Sequence, residues 1–67
     1  MKKLQKPISP LRFQRIIRGL TLYDVMEATG IQAVKLSLIE RGYKEPRHEE
    51  LLKLAEAFGC QIGELTE

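Results

Sequence analysis

The sequence predicts an all-α domain of five short helices, and three observations support this fold class. Capping residues and glycines divide the chain into short helical segments. One of these segments carries a clear apolar stripe at helical spacing, and no stretch alternates apolar and polar residues long enough to predict a strand. A chain of 67 residues with 43% hydrophobic residues forms one domain with one small core.

The first helix is predicted from Pro10 to about Arg18. The Ser9 hydroxyl can accept a free amide of the first turn, and proline is tolerated where no intrahelical partner is needed. Gly19 closes the helix in a left-handed conformation. Residues 1–8 before it form a basic N-terminal tail, and residues 9–67 form the domain.

The second helix is predicted over Leu22 to about Thr29. Thr21 and Asp24 have capping-box spacing at its start, and Gly30 ends it. A third helix follows from Gln32 to Glu40 after only one intervening residue, and it stops at Gly42.

The segment "RHEELLKLAEAFG" predicts a fourth helix. Leu51, Leu54, Ala55 and Phe58 recur at helical spacing and form its apolar stripe, and Gly59 ends it. The next residues, "IGEL", leave room for one last turn, a fifth helix with Ile62 and Leu65 facing inward.

Composition excludes several classes of protein. A single cysteine, Cys60, cannot form an internal disulfide, and no Cys/His cluster is present to bind a structural metal. The basic first residues are not followed by an apolar run of signal-peptide length, so neither export nor membrane insertion is expected. We therefore expect a cytoplasmic protein.

The net charge of +2 hides a polarised distribution. Residues 1–47 hold ten Lys or Arg against four acids, whereas residues 48–67 hold one lysine against five glutamates. A basic region of this kind is typical of proteins that bind a phosphate backbone. Charges that segregate by chance on a solvated surface explain it equally well.

Two short helices joined by a tight turn at Gly30 predict a helix-turn-helix. "RGLT" before the second helix, "ATGI" at the turn, "IERG" after the third helix and "LLKLAEAFG" as the fourth resemble the Cro/repressor-type (XRE-like) helix-turn-helix family. The resemblance covers residues 11–65. It implies a five-helix lambda-repressor-like DNA-binding domain.

The apolar residues around the turn are expected to form the core rather than to bind a ligand. These are Leu20, Val25, Ile31, Leu36, Ile39, Leu51, Leu54 and Phe58. In the family an Arg of the first helix commonly pairs with the Glu at the end of the third. The resemblance thus implies a structural ion pair between Arg15 and Glu40.

The resemblance also implies that base contacts come from the third helix. The matching positions are Gln32, Ala33, Val34, Lys35, Ser37 and Leu38. Of these, Lys35 suits guanine, Gln32 suits adenine or a phosphate, and the apolar members suit thymine methyl groups. An alternative for Val34 and Leu38 is that they are partly buried or cover a protein surface.

Phosphate contacts are implied at the start of the second helix and in the loop after the third. The matching residues are Arg18, Thr21, Leu22, Arg41, Tyr43 and Lys44. Leu22 departs from the family, which often has a phosphate-binding Gln at this position. Arg47 places another cation near this loop. The tail lysines Lys2, Lys3 and Lys6 either enter a minor groove or belong to a frayed terminus.

The sequence offers little for catalysis. The only imidazole, His48, is expected in solvent, and no phosphate-binding glycine loop, paired carboxylates or metal-ligand spacing is present. No enzyme activity, cofactor, membrane partner or small-molecule substrate is expected.

The predicted function is a sequence-specific transcriptional regulator, with repression favoured, that binds double-stranded DNA in the major groove. It is expected to act as a homodimer through Cys60, Ile62 and Leu65. The alternative is a protein-interaction module on the same scaffold, antitoxin-like or docking a cytoskeletal protein. The apolar residues Leu22, Tyr23, Val34 and Leu38 motivate that alternative.

Overall fold

The structure is a computed structural model that describes residues 8–66, and these form four α-helices and one 3-10 turn. No β-strand occurs within residues 8–66, so the all-α prediction is confirmed. The elements are α1 (Pro10–Ile16), α2 (Leu22–Thr29), α3 (Ala33–Glu40), α4 (His48–Phe58) and the 3-10 turn Ile62–Glu64.

The predicted helix starts agree with the structure within one residue. Ser9 accepts a hydrogen bond from the Arg12 amide at 3.3 Å at the start of α1. Thr21 and Asp24 form a reciprocal capping box at the start of α2, with hydrogen bonds of 3.0 and 2.8 Å. Local side-chain chemistry therefore sets where these two helices begin.

Helix α1 ends at Ile16 rather than at Arg18 as predicted. The amide of Arg18 donates to the Arg15 carbonyl and that of Gly19 to the Ile16 carbonyl, so the last turn tightens to three-residue spacing. Gly19 follows in the left-handed region with φ of 69°.

The last turn predicted after α4 is a single 3-10 turn, so the count of five helices is not confirmed. Gly59, with φ of 69°, ends α4 in the left-handed conformation. The Leu65 amide donates to the Ile62 carbonyl, three residues earlier, at 2.8 Å, which is the hydrogen bond of a 3-10 turn.

The core lies between α2, α3 and α4, and α1 and the 3-10 turn cover its remaining side. The most enclosed side chains are Val25, Leu36 and Leu54, one from each of these three helices. Of the predicted core residues, Leu20 and Leu51 are only partly buried. The buried apolar residues are Leu11, Val25, Ile31, Leu36, Ile39, Leu54, Ala55, Phe58 and Leu65.

The turn between α2 and α3 depends on Gly30, which has φ of 80°. Its amide donates to the Met26 carbonyl at 2.7 Å and closes α2. The buried Thr29 hydroxyl donates to the Val25 carbonyl and accepts from the Ile31 amide. These bonds satisfy the backbone where the chain reverses and so fix the direction in which α3 leaves.

An ion pair ties α1 to the end of α3. Arg15 Nε lies 2.6 Å and Nη2 3.1 Å from the two oxygens of Glu40, and Nη1 donates to the Leu20 carbonyl at 2.8 Å. The two side chains retain only 14% and 6% of their exposure. The hydrogen bond to Glu40 raises the pKa of Arg15 above its ordinary value. The geometry is the two-pronged Arg–carboxylate arrangement that fixes orientation as well as distance.

The longest helix, α4, has 11 residues. Between residues 8 and 66, none of the helices combines the length and hydrophobicity needed to cross a bilayer.

Candidate nucleic-acid interface

Helix α3 carries the residues that the sequence predicted to face the bases, and it presents only part of them to solvent. Val34 is 73% exposed and Gln32, which precedes the helix, is also exposed. The other four predicted positions are half-buried: Ala33, Lys35, Ser37 and Leu38. The opposite face of α3 is in the core through Leu36 and Ile39. The exposed face is therefore narrow and carries both polar and apolar groups.

Lys35 lies on α3, but its ammonium group is bound to another helix. Nζ is 2.6 Å from Glu50 Oε2 on α4, and the side chains keep 30% and 15% of their exposure. The pair holds the Lys35 ammonium toward α4, whereas the sequence predicted that it donates to guanine. The sequence analysis missed Glu50, because a separation of 15 residues across two helices leaves no local signal.

The predicted phosphate contacts in the loop after α3 are well presented. Arg41, Tyr43 and Lys44 are all exposed, and no carboxylate within residues 8–66 forms an ion pair with either cation. The Arg41 guanidinium lies 5.5 Å from the centre of the Tyr43 ring, a cation–π contact. This contact holds two potential phosphate donors side by side.

The start of α2 is less open to a phosphate than the sequence suggested. Asp24 accepts a hydrogen bond from the Thr21 amide, and Thr21 Oγ1 accepts one from the Asp24 amide. The bonds from Thr21 lower the pKa of Asp24 below its ordinary value. Leu22 and Tyr23 provide the remaining free amides of the first turn, since the cap uses that of Asp24. A phosphate there has a carboxylate as its neighbour.

Arg18, a predicted phosphate contact, is exposed, but its guanidinium also forms hydrogen bonds within the fold. Nε donates to the Phe58 carbonyl at 2.9 Å, and Nη1 donates to the Gln14 carbonyl and side chain at 2.8 and 2.7 Å. The group also lies 5.4 Å from the centre of the Phe58 ring. Arg18 thus joins α1 to the C-terminal end of α4, where a cation complements the helix dipole.

Arg47 precedes α4 and has no side-chain capping bond, as its sequence position indicated. Glu50 compensates, because its Oε1 accepts the Arg47 amide at 2.8 Å. The bonds from Lys35 and then from the Arg47 backbone lower the pKa of Glu50. The position of Glu50, three residues after Arg47, was the one sequence signal that Glu50 caps α4.

The predicted dimer residues differ in their availability. Leu65 is 5% exposed within the protomer, so it belongs to the core and is not free to contact a partner. Cys60 and Ile62 are half-buried and pack against that core. Burial raises the pKa of the Cys60 thiol.

Other predicted groups carry no site in the described part of the chain. His48 is exposed at the start of α4. No group of three potential metal ligands occurs between residues 8 and 66. The tail lysines Lys2, Lys3 and Lys6 lie outside the described residues.

Comparison with known proteins adds one match. The family model described as "Cro/C1-type HTH DNA-binding domain" matches residues 11–67. A search of curated proteins found no match to the chain.

Proposed function

The chain belongs to the Cro/C1-type helix-turn-helix DNA-binding domain family, and from this premise we propose that it is a sequence-specific transcriptional regulator, and specifically a repressor. It binds the major groove of duplex DNA through α3. The carrying observation is the position of Arg41 and Lys44: two exposed cations, unpaired within residues 8–66, directly follow a helix whose outer side is open.

The DNA contact that we propose for each residue follows from the exposure of its side chain. Arg41, Tyr43 and Lys44 bind phosphates and supply sequence-independent affinity. Gln32 supplies a hydrogen-bonding side chain for a base edge, and Val34 packs against a thymine methyl group. Ala33, Ser37 and Leu38 line the edge of the same surface, and the amides at the start of α2 add a weaker phosphate contact.

The test is a fluorescence-anisotropy titration on duplex DNA selected from a randomised pool, repeated over a series of salt concentrations. Arg41→Ala and Lys44→Ala should each weaken binding at low salt. Each should also reduce the slope of log K against log salt by about 0.9, the value expected for one lost phosphate contact.

Lys53→Ala is the charge control, since it removes the same charge from α4, outside the loop after α3 that the test addresses. It should leave the slope nearly unchanged. Equal slopes for all three variants would mean that net charge, rather than contact by the loop after α3, drives the binding.

The second candidate function is a protein-interaction module, favoured by the exposure of two apolar groups on α2 and α3. Tyr23 is 68% and Val34 73% exposed, whereas Leu22 and Leu38 are half-buried. A folded protein that binds no duplex at low salt would favour this module over the regulator.

A further inference from the structure

Lys35 is the one cation of α3, and the structure directs it away from the outer side of the helix. Its ammonium lies 2.6 Å from Glu50 Oε2, with most of both side chains out of solvent. Ion pairs in the open are weak because salt and water screen them, but this one is partly enclosed between α3 and α4.

Glu50 is itself held in place. Its second oxygen accepts the Arg47 amide at 2.8 Å, so one carboxylate both caps α4 and binds Lys35. The groove around this pair is also lined by Gln32, Glu49 and Lys53. Moving Glu50 toward solvent would uncap the helix, and therefore Lys35 has a fixed acceptor.

We propose that Glu50 is a specificity-determining residue that withholds Lys35 from duplex DNA. This inference rests on the proposed DNA-binding function. An unrestrained lysine beside the major groove would contact phosphates of any sequence. Its retention by Glu50 lowers affinity for non-cognate duplex more than for the cognate site, and so raises the ratio between them.

Glu50→Gln tests this directly. The amide oxygen of glutamine can still accept the Arg47 amide, so α4 keeps its start, but the charge that holds Lys35 is gone. Non-cognate affinity should rise, the salt slope should steepen by about 0.9, and the ratio of cognate to non-cognate affinity should fall.

Two further variants isolate the pair. Glu49→Gln removes the same charge from the neighbouring residue, which lines the same groove and forms no ion pair with Lys35. It should leave the slope and the ratio close to wild type. Lys35→Ala should have little effect in the wild-type protein but should cancel the gain in the Glu50→Gln background.

The outcomes separate this inference from the proposed function. Binding by the wild type, together with identical behaviour of Glu50→Gln and Glu49→Gln, would overturn the role of Glu50 and leave the regulator intact. A large loss from Lys35→Ala in the wild-type background would also overturn it, since Lys35 would then already contact DNA. If neither the wild type nor any folded variant binds duplex, the regulator and this role fail together. Circular dichroism melting of each variant shows that it is folded.

Discussion

At the scale of single residues, three cations of this domain hold its elements together. Arg15, Arg18 and Lys35 each reach a partner on another element, at sequence separations of 25, 40 and 15 residues. Arg41 and Lys44 instead stay exposed. Within residues 8–66 these three cations thus connect elements, and Arg41 and Lys44 in the loop after α3 are left for an outside partner.

The Arg15–Glu40 pair is predicted to be essential for stability. Glu40→Ala leaves a largely buried guanidinium without its carboxylate, and we expect a loss of about 3 kcal/mol in the free energy of unfolding. The total free energy of unfolding of a domain of this size is about 3 to 5 kcal/mol, so the variant should be close to unfolding at 25 °C. Urea titration followed by circular dichroism measures the effect.

Glu45→Ala is the control, because Glu45 is an exposed acid in the loop after α3. It should shift the urea midpoint very little. Arg15→Met combined with Glu40→Leu should recover much of the loss, since no charge is then left buried. A Glu40→Ala protein as stable as Glu45→Ala would show that the Arg15–Glu40 pair does not stabilise the fold.

At the scale of elements, the local signals predicted where helices begin and end better than what their faces contact. The caps at Ser9 and Thr21 lie in the sequence next to the amides they bind, so their effect follows from spacing alone. The contacts of Arg18 and Lys35 depend on how helices pack, which spacing does not contain. This is why the helix-turn-helix was predictable, whereas the partners of Arg18 and Lys35 within the fold were not.

Gly30 gives a prediction for the helix-turn-helix element. A side chain added there meets no atom within 4 Å, so the cost of Gly30→Ala is purely that of the left-handed backbone, about 1 to 2 kcal/mol. Thermal unfolding should show a drop in Tm of at least about 4 °C. Gly30→Asn should lose less, because asparagine tolerates this conformation better than alanine.

Gly63→Ala is the control for Gly30→Ala. Gly63 has equally open space around it but no positive φ. Its Tm should stay near that of the wild type, and an equal drop for both alanine variants would show that left-handed strain at Gly30 is not the cause.

At the scale of the whole molecule, one copy of α3 spans only a few base pairs, so we expect two protomers on a two-fold site with half-sites about 34 Å apart. Sedimentation equilibrium should give two protomers on such a duplex and one on a single half-site. A single protomer on both duplexes, with equal affinity, would contradict the proposed homodimer.

The contact surface of that dimer is testable on the same scale. With Leu65 in the core, Ile62 and Cys60 are the remaining predicted contacts. Ile62→Lys should halve the mass of protein bound to the two-fold duplex. Ala57→Lys, at an exposed position on α4, should leave that mass unchanged. Matching masses for the two variants would place the contact elsewhere on the surface.

The bond from Arg18 to the Phe58 carbonyl has a consequence for how the domain is made. Translation proceeds from the N-terminus, so α1 leaves the ribosome well before its acceptor exists. The Arg15–Glu40 pair can hold the first helix against the third once residue 40 has emerged, but a nascent chain halted before Phe58 cannot make the Arg18 contact.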